Sequence, residues 1–219
     1  MTKDTLPAEL RPFYDSVENE VIWIHAKWKV YRQVFAGGQE DIDLLNRYAS
    51  FFFRVVQQAL FEDTLLGISR LTDRAKTRGK ENRSLESFID QVKLLNHVEL
   101  EAHLAQDLAE IRHLCKPFRD WRNRRIAHSD LPTALKVDAE PLPGISRASI
   151  EEALGAIRKF MNRINGFFFD SETAYEQFAT MTGGDQLLAL LARADESLRE
   201  EREDRKRRIK KLKTREESA

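Results

Sequence analysis

Residues 118–130 read FRDWRNRRIAHSD, with Arg119, Arg122, Arg124 and Arg125 gathered around Asn123 and His128. An imidazole titrates near neutrality and can carry a proton, whereas a guanidinium is a permanent, planar, forked cation. Side by side they suit proton transfer next to developing negative charge. On a helix Arg124 and Arg125 precede His128 by four and three residues, so the three share a side. Arg122, six residues before His128, lies roughly 120° away around the wheel.

Leu104, Leu108, Ile111, Cys115 and Phe118, spaced 4, 3, 4 and 3, predict one apolar helix face, and the next position on that face is Arg122. A guanidinium there is costly unless it is paired. A purely structural explanation is also open, because cations near a helix C-terminus oppose the macrodipole, at about 0.3–1 kcal/mol each. That accounts for Arg124 or Arg125. It leaves Arg122 on the buried stripe unexplained, as well as Asn123 inside a helix that asparagine disfavours. On spacing alone the structural explanation stands slightly ahead.

The elements that must hold these residues are helical. Glycine and proline fall mostly between long periodic segments, which predicts an all-α chain. One or two helices are expected over 6–36, closed by Gly37 and Gly38, and another over 41–71. In the latter, Leu45, Tyr48, Phe52, Val55 and Ala59 are spaced 3, 4, 3 and 4 and predict a core-facing side. TDRAKTRGKENR, residues 72–83, carries five basic residues and a glycine and is expected to be an exposed loop. A short helix over 85–95 and a fourth from Glu99 lead into the arginine cluster. Pro117 either kinks this fourth helix or opens a new one from its first turn. A long connection with Pro132, Pro141, Pro143 and Gly144 follows. Ser149 with Glu152 then predicts a capped helix start, with Leu154, Ile157, Met161 and Ile164 on its apolar face.

The whole chain of 219 residues balances 36 basic against 36 acidic residues, so bulk charge does not announce a nucleic-acid partner. The balance is uneven, however. Residues 198–219 hold ten basic and six acidic residues, and the body before them 26 and 30. The expected division is a helical domain over 1–197 and a charged C-terminal tail over 198–219. Within the tail RKRRIKKLK, residues 205–213, could contact phosphates, although a solvated helix is its default state. Cys115, the single cysteine, excludes an intrachain disulfide and fits a reducing compartment. The Phe-rich runs at 51–53 and 167–169 fall far short of the ~20 apolar residues a bilayer requires, so a soluble, cytoplasmic protein without a membrane partner is expected.

Metal and cofactor chemistry find little support. His97, His103 and His113 are six and ten residues apart and give no shared ligand face. HExxH, GxSxG and a Gly-rich phosphate loop are all missing from the sequence. Neither a metal nor a cofactor is expected.

The order RNRRIAH then SD, an Arg and a polar residue followed by a His, resembles the motif of the HEPN superfamily. The wider context, ISRLTDRAKTRGKENRSLE at 68–86 and a helix leading into WRNRRIAHSDL, resembles its AbiU-like abortive-infection branch. The resemblance implies a helical bundle that forms a homodimer with two motifs facing one another. It also implies a metal-independent RNase with an antiviral or toxin role. Arg122 would then neutralise the scissile phosphate, Asn123 would orient groups and His128 would move a proton, while Arg119, Arg124 and Arg125 would contact RNA. Some members bind RNA or merely dimerise without cutting, and the alternative is a non-catalytic helical dimer that binds RNA or a partner protein. Members paired with a nucleotidyltransferase antitoxin carry a Tyr two residues after the His, with four residues between Arg and His. This chain has Asp130 at that place and five residues in between, so an antitoxin protein as partner would be of another type.

Overall fold

A computed structural model describes residues 5–126, 142–177 and 182–216, and the side chains of the last helix as far as Lys211. Its described elements are α1 (Arg11–Phe35), α2 (Gln39–Leu71), a hairpin of β1 (Lys76–Thr77) and β2 (Lys80–Glu81), α3 (Leu85–Leu94), α4 (Val98–Leu114) and α5 (Lys116–Trp121). A π-helical turn (Arg122–Ile126), α6 (Arg147–Phe169), a 3-10 turn (Tyr175–Gln177) and α7 (Gly184–Glu216) follow. The all-α class therefore holds, with one two-residue hairpin inside the loop expected at 72–83. Arg78 and Gly79 both have positive φ there, 50° and 79°, as the tightest hairpin turns require. Among the described residues no helix is long and apolar enough to cross a membrane.

The chain forms two compact units. The first comprises residues 1–29 and 58–178. Tyr14, Val17, Val21, Ile24 and Trp28 of α1 recur every three or four residues and are buried, as one helix face against a core must be. Ser84 caps α3 by accepting the Ser87 N–H at 3.3 Å, and Leu85, Phe88 and Val92 fill the same core. The predicted faces of α4 and α6 are buried throughout, from Leu104 to Phe118 and from Leu154 to Ile164. Between these two helices Asp107 is buried and takes Arg163 Nε at 2.6 Å and Lys159 Nζ at 3.0 Å. Burial pushes this carboxyl up, but the two cations outweigh it and hold Asp107 below its usual range.

Two expectations about helix ends are decided. Pro117 opens a new helix, α5, from its first turn, and the apolar stripe stays buried across the break. The cap of α6 is Ser146, three residues before the start expected at Ser149. Ser149 is instead the reciprocal partner, its Oγ accepting the Ser146 N–H at 3.1 Å while its own N–H bonds Ser146 Oγ at 3.0 Å.

The second unit comprises residues 30–57 and 179–219. Val34, Leu45 and Phe53 form its buried centre, and Leu188 and Leu191 of α7 pack against them. Gly184 starts α7 so close to α1 that a Cβ there would lie 2.4 Å from Val34 Cγ2. In this unit the expected core face of α2 is overturned. Ala49 has non-helical backbone angles (φ −156°, ψ 57°), and the kink puts Leu45, Ala49 and Phe53 on the inside. Tyr48, Phe52, Val55 and Ala59, expected in the core, are exposed. From Glu196 to Lys211 every residue of α7 is exposed, including the first part of the basic run.

Candidate functional site

The arginine cluster is assembled in the first unit from four places in the chain: the end of α2 with the loop after it, α3, the end of α4, and α5 with its π turn. Arg112, one residue beyond the buried Ile111, is the hub. Its Nε donates to the Thr72 carbonyl at 3.2 Å, Nη1 to Glu86 Oε1 at 2.9 Å and Nη2 to the Asp73 carbonyl at 3.2 Å. Glu86 also accepts the Ala75 N–H at 2.6 Å and Arg74 Nη1 at 3.2 Å. The Arg112 bond lowers the Glu86 carboxyl to about 2, against the opposing effect of burial.

Asp73 is thereby fixed by its backbone, and its side chain faces Arg122. Arg122 Nη1 donates to both Asp73 oxygens, at 2.6 and 2.7 Å, and Nε donates to Asn123 Oδ1 at 3.0 Å. The guanidinium expected on the apolar stripe is thus paired, in a setting where the two side chains are only 20% and 28% exposed. Of the predicted catalytic residues, Arg122 and Asn123 touch one another, and His128 lies outside the described residues.

The π turn bears on the wheel argument. Residues Arg122–Ile126 form i→i+5 bonds, so the 100° step assumed for Arg122, Arg124 and Arg125 does not apply over this stretch. Arg125 is exposed and its guanidinium lies 5.2 Å from the centre of the Trp121 ring, while Arg124 is half-buried. Trp121 is held in turn, its Nε1 donating to the Pro143 carbonyl at 2.8 Å and its ring meeting Phe61 edge-on at 5.9 Å. This ties the C-terminal end of α5 to the segment that enters α6.

Arg119 stands one turn before Arg122. It is half-buried, its N–H donates to the Cys115 carbonyl at 3.1 Å, and its side chain makes no hydrogen bond or ion pair among the described residues. Burial and the nearby Arg112 and Arg122 cations make its charged form less favourable, with only partial relief from Asp73 and Cys115. Three guanidinium groups, Arg74, Arg112 and Arg122, therefore meet two carboxylates, Glu86 and Asp73, and Arg119 adds a further cation one turn before Arg122. Such a cluster can bind an anion.

Sequence reasoning missed Asp73, Glu86, Arg112 and Trp121. Asp73 lay in a stretch assigned to a solvated loop, and Arg112 lay beside the stripe rather than on it. The one available signal was the requirement that Arg122 be paired, which calls for a carboxylate without saying which. His97, which was weighed and set aside as a ligand, packs its ring against Phe167 and Phe168 at 5.0 and 5.7 Å.

No curated protein and no solved structure matches the chain. The family model HEPN_AbiU2, described as AbiU2, matches residues 7–213, which takes in both units, the arginine cluster and most of α7. The arginine and asparagine joined at the end of α5, in a helical chain matched over nearly its whole length, place it plainly: this chain belongs to the HEPN AbiU2 family.

Proposed function

We propose that the protein is a metal-independent HEPN-type endoribonuclease with an abortive-infection or toxin role. The observation that carries this reading is the ordered Arg122–Asn123 pair, braced by Asp73 and set among further arginines just before His128 in the chain. RNA supplies its own nucleophile. The 2′-hydroxyl attacks the adjacent phosphorus and the bond to the 5′-oxygen breaks, leaving a 2′,3′-cyclic phosphate and a 5′-hydroxyl. The protein must then move a proton from the attacking to the departing oxygen and offset the charge on the phosphate. His128 carries the proton, and Asn123 holds Arg122 in position through its Nε.

We further propose that the active form is a homodimer, since a two-fold axis doubles both proton carrier and cation at one cleft. The uncovered face of α2 supports self-association. Phe51, Phe52, Val55 and Tyr48 are 79%, 59%, 50% and 38% exposed. Together they offer roughly 400 Å² of mostly apolar side chain, within the range of the largest patch on a typical monomer and often a functional one. The test is cleavage of a short RNA in EDTA by the wild type beside His128→Ala, with light scattering of the active sample. Loss of cleavage in the variant and a dimeric mass are expected. Undiminished cutting by His128→Ala or full activity in a monomer would overturn the respective reading.

A further inference from the structure

The hairpin after α2 carries more charge than a connection needs. Residues 74–83 hold five cations and one carboxylate, in a chain whose net charge is zero. The first strand starts beside the arginine cluster, since Asp73 accepts Arg122 Nη1 at 2.6 Å and Lys76 opens β1 three residues later. Hydrogen bonds fix the stem. The Asn82 N–H donates to the Ala75 carbonyl at 2.8 Å, Asn82 Nδ2 to the Arg74 carbonyl at 2.7 Å, and Ser87 Oγ to the Asn82 carbonyl at 2.6 Å. Arg83 anchors the second strand to α1, donating to Glu20 Oε2 at 2.6 Å and to Ser16 Oγ at 2.8 Å. The other four cations are exposed. Arg74, 75% exposed, shares Glu86 with Arg112. Lys76, 71% exposed, meets an equally exposed Glu81 at 3.3 Å, a surface pair that leaves most of its charge available. The register sets Lys76 opposite Glu81 and Thr77 opposite Lys80, which puts Lys76 and Lys80 on opposite faces with Arg78 at the turn between them. Arg78 takes a left-handed backbone (φ 50°) that glycine or asparagine adopts at less cost, so the turn itself does not call for an arginine.

We propose that this hairpin is an RNA-docking arm, in which Lys76, Arg78 and Lys80 hold phosphates of the strand that flank the one placed at Arg122. It rests on the RNase reading for what happens at Arg122, but not for the binding itself. Five residues of extended chain separate Arg78 from Asp73, a reach of at most about 17 Å. A strand with a charge every ~3.4 Å would cover that distance with about five nucleotides. Cations spread along a fixed ribbon match the repeated charge of such a polymer better than a single ion. Between the hairpin, α1 and α3 a cleft of about 630 Å³ opens, with Phe13, Lys76, Asn82, Gln91 and Lys93 in its walls. It has room for a nucleobase against an aromatic ring, the second element that single-strand binding uses beside a basic track. An anionic lipid surface would engage the cations alone and leave that cleft empty.

The test uses the full chain and two independent readouts. The first is equilibrium binding of a fluorescent 2′-O-methyl RNA 12-mer, which cannot be cut by its own 2′-oxygen, to wild type and to the triple variant Lys76→Gln, Arg78→Gln, Lys80→Gln. The variant is expected to bind at least 10-fold more weakly near 0.1 M salt. Its slope of log affinity against log salt should fall by about 2, at roughly 0.7 for each of three lost phosphate contacts. Affinity within twofold of wild type, or an unchanged slope, would overturn the proposal. So would phosphatidylserine vesicles that bind wild type and release the variant while RNA binding does not move. If the triple variant fails to fold, Arg78→Gly decides, because glycine suits the positive φ of that position and removes only the cation at the turn. It should melt no lower than wild type and bind the RNA about threefold more weakly, and unaltered binding would overturn the proposal.

The second readout is RNA cleavage. The triple variant is expected to raise KM at least 10-fold on an unmodified 12-mer with kcat lowered less than threefold, and its deficit in kcat/KM should shrink below threefold on a dinucleotide too short to reach the hairpin. A deficit as large on the dinucleotide, or one carried by kcat, would overturn the docking role. A wild type that cuts no RNA would remove the RNase reading alone, since the binding readout still decides what the hairpin holds.

Discussion

If Asp73 braces Arg122, the two residues must be energetically coupled, and a double-mutant cycle of Asp73→Asn and Arg122→Met measures that coupling. One nitrogen, Arg122 Nη1, reaches both carboxylate oxygens at 2.6 and 2.7 Å, so the contact counts as a single shared, charge-assisted bond. Hydrogen bonds to charged groups contribute about 1.5–3 kcal/mol net. The 20% and 28% exposure of the side chains admits some solvent screening, which brings the expected coupling to about 1–2 kcal/mol. Each single substitution should cost about that much in urea unfolding, or roughly 2–8 °C in melting temperature for a chain of this size. The double substitution should cost little more than either single one, because each leaves the other partner stranded. This differs from what the sequence suggests, where an arginine on an apolar stripe looks replaceable at a profit in stability. A coupling below about 0.3 kcal/mol, or an Arg122→Met protein more stable than wild type, would show that Asp73 does not brace Arg122.

Three further outcomes are expected. His25 is buried, its Nδ1–H donating to the Val21 carbonyl at 2.8 Å, and burial with Arg158 nearby holds its pKa below the usual value. The unfolded chain therefore binds this proton first, so stability should be complete above about pH 6.5 and fall below it. His25→Gln should flatten that part of a pH–stability profile, and an unchanged slope would contradict the burial argument. Glu86, lowered to about 2 chiefly by Arg112, stabilises the fold above its unfolded value and loses that effect as pH falls from about 4.5 towards 2. After screening this should amount to about 1–2 kcal/mol, absent in Glu86→Gln when acid denaturation is followed by circular dichroism. Deleting residues 198–219 removes a part of α7 that is exposed as far as Lys211, so the melting temperature should stay within a few degrees. RNA binding should weaken most at low salt, and an unchanged salt dependence would exclude the basic run from binding.

Local periodicity reveals much of this fold, because a face buried along a regular helix leaves its spacing in the sequence. Leu104 to Phe118 and Leu154 to Ile164 are such faces, and both are buried. In α2 the spacing misleads, because one non-helical residue, Ala49, changes the face that turns inward; no spacing rule marks an alanine as a kink. Before α6, two serines three residues apart can both cap the helix. Which of them does so depends on where the chain enters the helix. The candidate site was legible as a set of residue types but not as a set of partners. Arg122 meets a carboxylate 49 positions earlier, and Arg112 meets Glu86 from a different helix. Such pairings are tertiary choices, fixed by how helices pack. The π turn at Arg122–Ile126 escaped for a related reason, since its widened bonding leaves no signature in the order RNRRI.

If the proposed function holds, this site cuts RNA with its own residues. The most direct measurement is end-group analysis of a defined RNA incubated in EDTA with wild type and with His128→Ala. Products ending in 2′,3′-cyclic phosphate and 5′-hydroxyl are expected from the wild type, none from the variant, and no cleavage of the 2′-deoxy substrate. Cleavage that requires magnesium, proceeds equally on DNA, or survives His128→Ala would contradict it.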